Sequence, residues 1–318
     1  MTVIAPGPRR AAPALAFCAF LLSGCAGFGP AARQALEPYD APVRVEPVAF
    51  FPQTELHCGP AALASVLETS GRPVDYSDLV DRVYLPDRGG TLQVELLAAA
   101  RSHDRIPWVL APQLSSLLAE VAAGRPVLVL ENQGVRGLPY WHYAVVIGFD
   151  PERADIIQHS GTEAELARPM RRWLRDWTLA GRWAVVTLPP DQLPRSPERE
   201  RWLQTLADFE AVAEPRAALL AWQTAAERWP DEPLVWLGQG NSRYRLGALD
   251  EAIAAFEQAL KRNPDQPAAA YNLAVVLLEN DQPCRAAGRL DALRQHPVVG
   301  ERAAVALETA RESCNQAR

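Results

Sequence analysis

Between residues 46 and 190 the apolar positions change period partway along the chain. Ala61, Ala62, Leu63, Val66 and Leu67 recur at helical spacing behind Pro60, and Gly71 stops the run. That pattern predicts a helix with Cys58 at its start. Proline suits the first turn, where its missing N–H would have had no partner. Further helices are predicted over residues 76–83, 92–102 and 114–123. Strands are predicted over 127–130, 142–149, 156–159 and 183–188, with Asp150-Pro151-Glu152-Arg153 as a turn between the second and third. Helices come first and antiparallel-looking strands follow, so this half is expected to be α+β. The strand after His142 runs Tyr143-Ala144-Val145-Val146-Ile147 with little polar alternation, which predicts burial on both faces.

From about residue 197 the pattern becomes wholly helical and repeats every 34 positions. Trp202 recurs as Trp236, Ala218 as Ala252, Trp222 as Phe256, Ala225 as Ala259 and Pro230 as Pro264. A weaker third copy runs through Ala270, Ala286, Leu290 and Leu293. The best copy, from Trp236 through Gly240, Gly247, Ala252, Phe256 and Ala259 to Pro264, resembles a tetratricopeptide repeat. It departs from that pattern at Gln239 and Arg243. Three repeats meet the minimum for a stable stack. Cys284 falls near the start of one predicted helix and Cys314 near the end of the next. Antiparallel packing would bring the two together, so a disulfide is expected there.

Composition narrows the compartment more than the chemistry. A chain of 318 residues with 48% hydrophobic and 22% charged content is expected to form two soluble domains. A net charge of −6 without a long basic run argues against nucleic acid as a partner. Arg9 and Arg10 precede a short apolar run over residues 14–22, followed by Leu22-Ser23-Gly24-Cys25. This reads as a secretory signal peptide over residues 1–24. The four-residue run resembles the bacterial lipobox. That resemblance implies a lipidated Cys25 and, with Ala26 next, a lipoprotein on the periplasmic face of the outer membrane. Residues 25–45, rich in Ala, Pro and Gly, are expected to form a tether. Cys18 leaves with the signal peptide. With Cys25 lipidated and Cys284 paired to Cys314, Cys58 is left as the free thiol, which in an exported chain hints at reactivity.

At a helix start, backbone N–H groups and the helix dipole favour a thiolate, and Gln53, five positions upstream, offers an amide for an oxyanion. A histidine at the mouth of a buried strand can reach a helix N-terminus packed across it, so His142 is the candidate general base. Gln53…Cys58-Gly59-Pro60, the Asp87-Arg88-Gly89-Gly90-Thr91 segment and Tyr140-Trp141-His142-Tyr143 together resemble the bacteriocin-processing cysteine peptidases. Those are papain-like enzymes that cleave leader peptides after double glycine. The resemblance spans residues 46–190 and implies Cys58 as nucleophile, His142 as base and Gln53 as oxyanion donor. The family places an aspartate at the end of the strand after the histidine, whereas this strand ends Gln158-His159-Ser160. His159 or Gln158 is left to orient the imidazole, and Asp150 and Asp155 lie in or beside the turn. His57 is expected to point away from the thiol, and His103 and His296 to lie on the surface.

No ligand-pair spacing supports a metal site. No phosphate-binding glycine loop stands beside the peptidase-like segment, and no cofactor is expected. The expected architecture is thus a papain-like α+β domain over residues 46–190 and an all-α tetratricopeptide array over 197–318. The expected activity is a lipid-anchored cysteine peptidase acting on a peptide or protein, with the repeats recruiting a protein partner. The alternative is a catalytically degenerate adaptor. Acyl transfer of the transglutaminase or amidase kind by the same Cys–His pair is a third possibility.

Overall fold

The computed structural model describes residues 29–53 and 56–316. The predicted signal peptide, Cys18 and Cys25 lie outside the described residues.

The stretch expected as a tether carries structure. Helix α1 (Pro30–Leu36) buries Ala32 and Ala35, and Leu36 packs against the same core. The spacing of three and four between these residues gives α1 one apolar face. Strand β1 (Val43–Arg44) pairs antiparallel with the central strand at Phe149 and Gly148. Residues 30–36 and 43–44 therefore belong to the folded body, well before residue 46.

Helix α2 (Cys58–Thr69) is buried continuously from Gly59 to Leu67. Each fully buried Leu or Val there contributes about 1.5–3 kcal/mol. A Cβ on Gly59 would meet the Thr91 side chain at 2.6 Å, so only glycine lets α2 approach that segment. Helix α3 (Tyr76–Val83) is capped by Asp75, which accepts from the N–H groups of Ser77 and Asp78. A 3₁₀ turn (Pro86–Arg88) leads to α4 (Gln93–Ser102). There follow β2 (Ile106–Val109), α5 (Leu114–Ala122), β3 (Val127–Asn132), β4 (Trp141–Asp150), β5 (Asp155–Ser160), β6 (Glu163–Pro169), α6 (Met170–Leu179) and β7 (Ala184–Leu188).

The strands form one antiparallel sheet in the order β2-β7-β3-β4-β5-β6, with β1 added on β4. The sheet is covered on both sides. Tyr143, Val145 and Ile147 of β4 pack in one cluster with α2, α3 and α4. Ala144 and Val146 face the other way, into a cluster with α5 and α6. Strand parity on β4 thus decides which layer each side chain joins.

Seven helices follow: α7 (Arg199–Glu210), α8 (Pro215–Arg228), α9 (Pro233–Arg245), α10 (Leu249–Arg262), α11 (Pro267–Glu279), α12 (Pro283–Leu293) and α13 (Gly300–Gln316). A Cβ on Gly240 of α9 would lie 2.4 Å from the Phe256 ring of α10, which explains a small residue opposite an aromatic where helices cross. Cys284 of α12 and Cys314 of α13 are joined by a disulfide across 30 positions. Loop-closure entropy makes such a bond worth about 3–4 kcal/mol. Replacing both cysteines by serine is expected to lower protection of the α12–α13 amides in hydrogen exchange. The α+β domain should be unaffected.

The array is joined to the α+β domain by a common core. Trp202 of α7 meets Trp108 of β2 edge-to-face at 5.5 Å, and Leu203, Leu206 and Phe209 lie in the same cluster as α5 and α6. Around that contact Arg201 stacks on Trp108 and donates to the Val109 carbonyl, and Arg101 pairs with Asp208.

Candidate functional site

Cys58 opens α2 with no side-chain cap on the helix and no acid in its first turn. It is the free cysteine among the described residues. Its thiol lies in a cleft of about 450 Å³ whose lining includes Thr91, Leu92, Leu130, Trp141 and Tyr143. Leu130 and Tyr143 are cross-strand partners, so both present the α2 face of the sheet. The Tyr143 hydroxyl donates to the Thr91 carbonyl at 3.2 Å, closing one wall. The lining is mainly apolar, with Arg88 and Gln93 as its charged and amide side chains.

Burial pushes the Cys58 thiol up. Backbone N–H groups of Tyr143, Gly59 and Cys58 itself act against that shift without cancelling it. Removal from water thus outweighs those N–H contacts.

His142 does not join Cys58. It stands on β4 between Trp141 and Tyr143, which both line the Cys58 cleft, and alternation turns its ring to the opposite face. Its cross-strand partner is Glu131, and its Nε2 lies 2.9 Å from the Ser160 hydroxyl. There it lines a second cavity of about 580 Å³ with Gln133, Ser160 and Arg168. Burial is the main cause that lowers its pKa, Arg168 adds to this, and Glu131 opposes it. A thiolate–imidazolium pair needs the thiol below the imidazole. Here burial moves the thiol up and the imidazole down, and the imidazole is bonded to Ser160. Among the described residues no hydrogen bond joins Cys58 to His142, and the two line different cavities.

The remaining predicted residues also have other partners. The Gln53 N–H donates to the Gly161 carbonyl at 3.1 Å. Its Oε1 is buried without a hydrogen bond, and Gln53 is not part of the Cys58 cleft lining. His159 accepts from the Glu165 N–H at Nδ1, so its proton sits on Nε2 and reaches the Val48 carbonyl at 3.2 Å. It ties the strand-like segment before Gln53 to the sheet and does not orient His142. Gln158 shares the His142 face, but its Oε1 accepts from the Trp173 indole at 2.9 Å. Asp150 caps its own turn through the N–H groups of Glu152 and Arg153. Asp155 pairs with Arg153. His57 packs against the Tyr84 ring. His103 and His296, expected on the surface, are half-buried.

The residue that touches His142 is Ser160, which sequence reasoning missed. Its one signal was its place as the last residue of a strand. Beneath it lies a buried ionic network: Arg168 bonds Glu131 and Asp176 at 2.6 Å each, and Arg175 bonds Asp176 at 2.9 Å. Among the described residues no group of three or more His, Cys, Asp or Glu side chains is placed to hold a metal ion.

Residues 45–185 match the Peptidase_C39 like family, and residues 208–257 and 237–299 match the tetratricopeptide repeat. A C39-like peptidase from Bacillus anthracis is similar in structure at 17% identity, over 47% of this chain and 98% of its own, with a TM-score of 0.42. A double glycine motif protease from an AMS/PCAT transporter, solved with its leader peptide, has 18% identity over 47% of this chain and 98% of its own, with a TM-score of 0.34. The type III secretion translocator chaperone SycD of Yersinia enterocolitica has 19% identity over 36% of this chain and 91% of its own, with a TM-score of 0.33. No curated protein matches the chain.

Proposed function

From a chain that carries a Peptidase_C39-like domain followed by tetratricopeptide repeats, we propose a peptide-binding adaptor. Its C39-like cleft holds a peptide segment without hydrolysing it, and its repeats engage a protein partner. The observation that carries this reading is the placement of Cys58 and His142 on opposite faces of β4, each shifted toward its neutral form. A nucleophile without a base beside it has no means of losing its proton as it attacks. The lipobox-like run before Cys25 supports a lipid anchor facing the periplasm from the outer membrane.

A cysteine peptidase is the second reading. The match to the Peptidase_C39 like family and a thiol lining a cleft at a helix start favour it.

Two measurements separate them. Iodoacetamide alkylation of Cys58 is expected to rise only at pH values above the ordinary thiol pKa of about 8.5, with the same profile in His142→Ala. Wild type and Cys58→Ala, incubated with a periplasmic extract, should retain the same peptides and release no fragments. Cleavage by the wild type that disappears in Cys58→Ala establishes the peptidase and removes the adaptor.

A further inference from the structure

In a protein of net charge −6, residues 168–182 hold five arginines, Arg168, Arg171, Arg172, Arg175 and Arg182, against the single acid Asp176. Asp176 is buried and already paired with Arg168 and Arg175. Arg171, Arg172 and Arg175 of α6 are exposed, as is Arg182 just beyond it. Glu163, an exposed acid, lines the same cavity as Arg172, and Glu165 is exposed on the neighbouring strand β6. The excess positive charge is thus concentrated on one helix.

The same face carries an unusual apolar projection. The β3–β4 hairpin closes through a Val135–Leu138 bridge. Leu138 is 78% exposed, and Val135 and Tyr140 are each more than half exposed; Tyr140 lines the same cavity as Arg172. Arg136 stands at the tip, also exposed. Arg175 donates to the Gly134 carbonyl at 3.0 Å, which fixes the root of the hairpin to α6. A soluble surface rarely groups such residues without a use. Apolar residues and a tyrosine flanked by arginine form the composition of a membrane interface.

The path of the chain points the same way. Helix α1 shares a cavity lining with Leu174 and Arg182, so it borders α6. Only five peptide steps separate Cys25 from Pro30, a reach of about 17 Å at full extension.

We propose that the α6 face and the hairpin tip dock on an anionic phospholipid bilayer. The arginines meet lipid phosphates, and Leu138 and Tyr140 enter the headgroup layer. The proposal rests on the lipid-anchor reading, since a lipid on Cys25 would hold this face against the membrane. Trp141, the next residue along β4, turns to the other face and lines the Cys58 cleft.

The test uses the chain from Ala26 onward, which keeps every described element and carries no lipid. It is floated with vesicles of phosphatidylcholine alone or mixed with phosphatidylglycerol. Salt-sensitive binding to the mixed vesicles alone is expected. Each arginine near an anionic surface is worth about a fivefold change in partition, so Arg171→Glu with Arg172→Glu should reduce binding by at least about twentyfold. Leu138→Ser should weaken binding while thermal unfolding stays unchanged. Equal partition to both vesicle types, or binding untouched by these variants, overturns the proposal. A dimer that Leu138→Ser dissolves assigns the tip to a second copy and overturns it as well. The mass of the N-terminal peptide from native membranes reads acylation of Cys25 separately. A bare Cys25 defeats the anchor without altering the vesicle result, and a failed vesicle assay with an acylated Cys25 defeats the docking face alone.

Discussion

Arg168→Ala is expected to destabilise the α+β domain by about 3–5 kcal/mol, a large share of the stability of an ordinary domain. Glu131 has no exposed surface and Asp176 almost none, and both lean on the Arg168 guanidinium. Removing the guanidinium strands Glu131 out of water and leaves Asp176 with Arg175 alone. Gln133 still donates to Glu131, and Arg175 still reaches Asp176, but neither replaces a charge at 2.6 Å. The Oε1 atom of Glu131 already lacks a partner, so that carboxylate has little left to lose. Urea unfolding followed by far-UV circular dichroism measures the change. The triple variant Glu131→Leu, Arg168→Met, Asp176→Leu should recover most of the loss, because exchanging a whole buried ionic set for apolar groups is often near neutral. A single variant as stable as wild type would show that water compensates the carboxylates.

The second large effect is expected at Trp202, which is 1% exposed at the joint between the domains. Trp202→Ala should cost about 3–5 kcal/mol as a core truncation. Its edge-to-face contact with Trp108 is worth about 0.5–1.5 kcal/mol beyond area. The loss should also change the form of the unfolding curve. One core now spans both halves, so wild type is expected to melt in one step and Trp202→Ala in two. Differential scanning calorimetry distinguishes these outcomes. Trp202→Phe should be much milder, because the indole N–H is buried without an acceptor and its removal relieves an unpaired donor. Two separate transitions in the wild type would show that the joint is not cooperative.

Much of the scaffold was legible before the structure. Pro60 and the alanine-rich run place the start of α2, and the 34-residue recurrence of Trp202 as Trp236 marks the array. The unread parts have identifiable causes. Residues 30–36 look compositionally like a linker, although Ala32, Ala35 and Leu36 share a face. Strand β6 is an edge strand, largely exposed, so it carries no apolar alternation to detect.

The direction of His142 is the instructive miss. Because β4 is buried on both faces, every position from Tyr143 to Phe149 is apolar or glycine. Nothing in that pattern says which side chains face α2. Register alone settles it, through Leu130↔Tyr143 and Glu131↔His142. A one-residue change of parity separates a catalytic pair from two unrelated residues. Ser160 was missed for the same reason, since its contact with His142 follows from the face it shares.

The joint at Trp108 and Trp202 has a thermodynamic consequence for recognition. Two modules on a flexible linker must lose mutual orientational freedom whenever one ligand touches both. Here that loss occurs once, when the chain folds. A ligand spanning the repeats and the cleft therefore meets a surface whose two parts are already aligned, and its affinity is not reduced by aligning them.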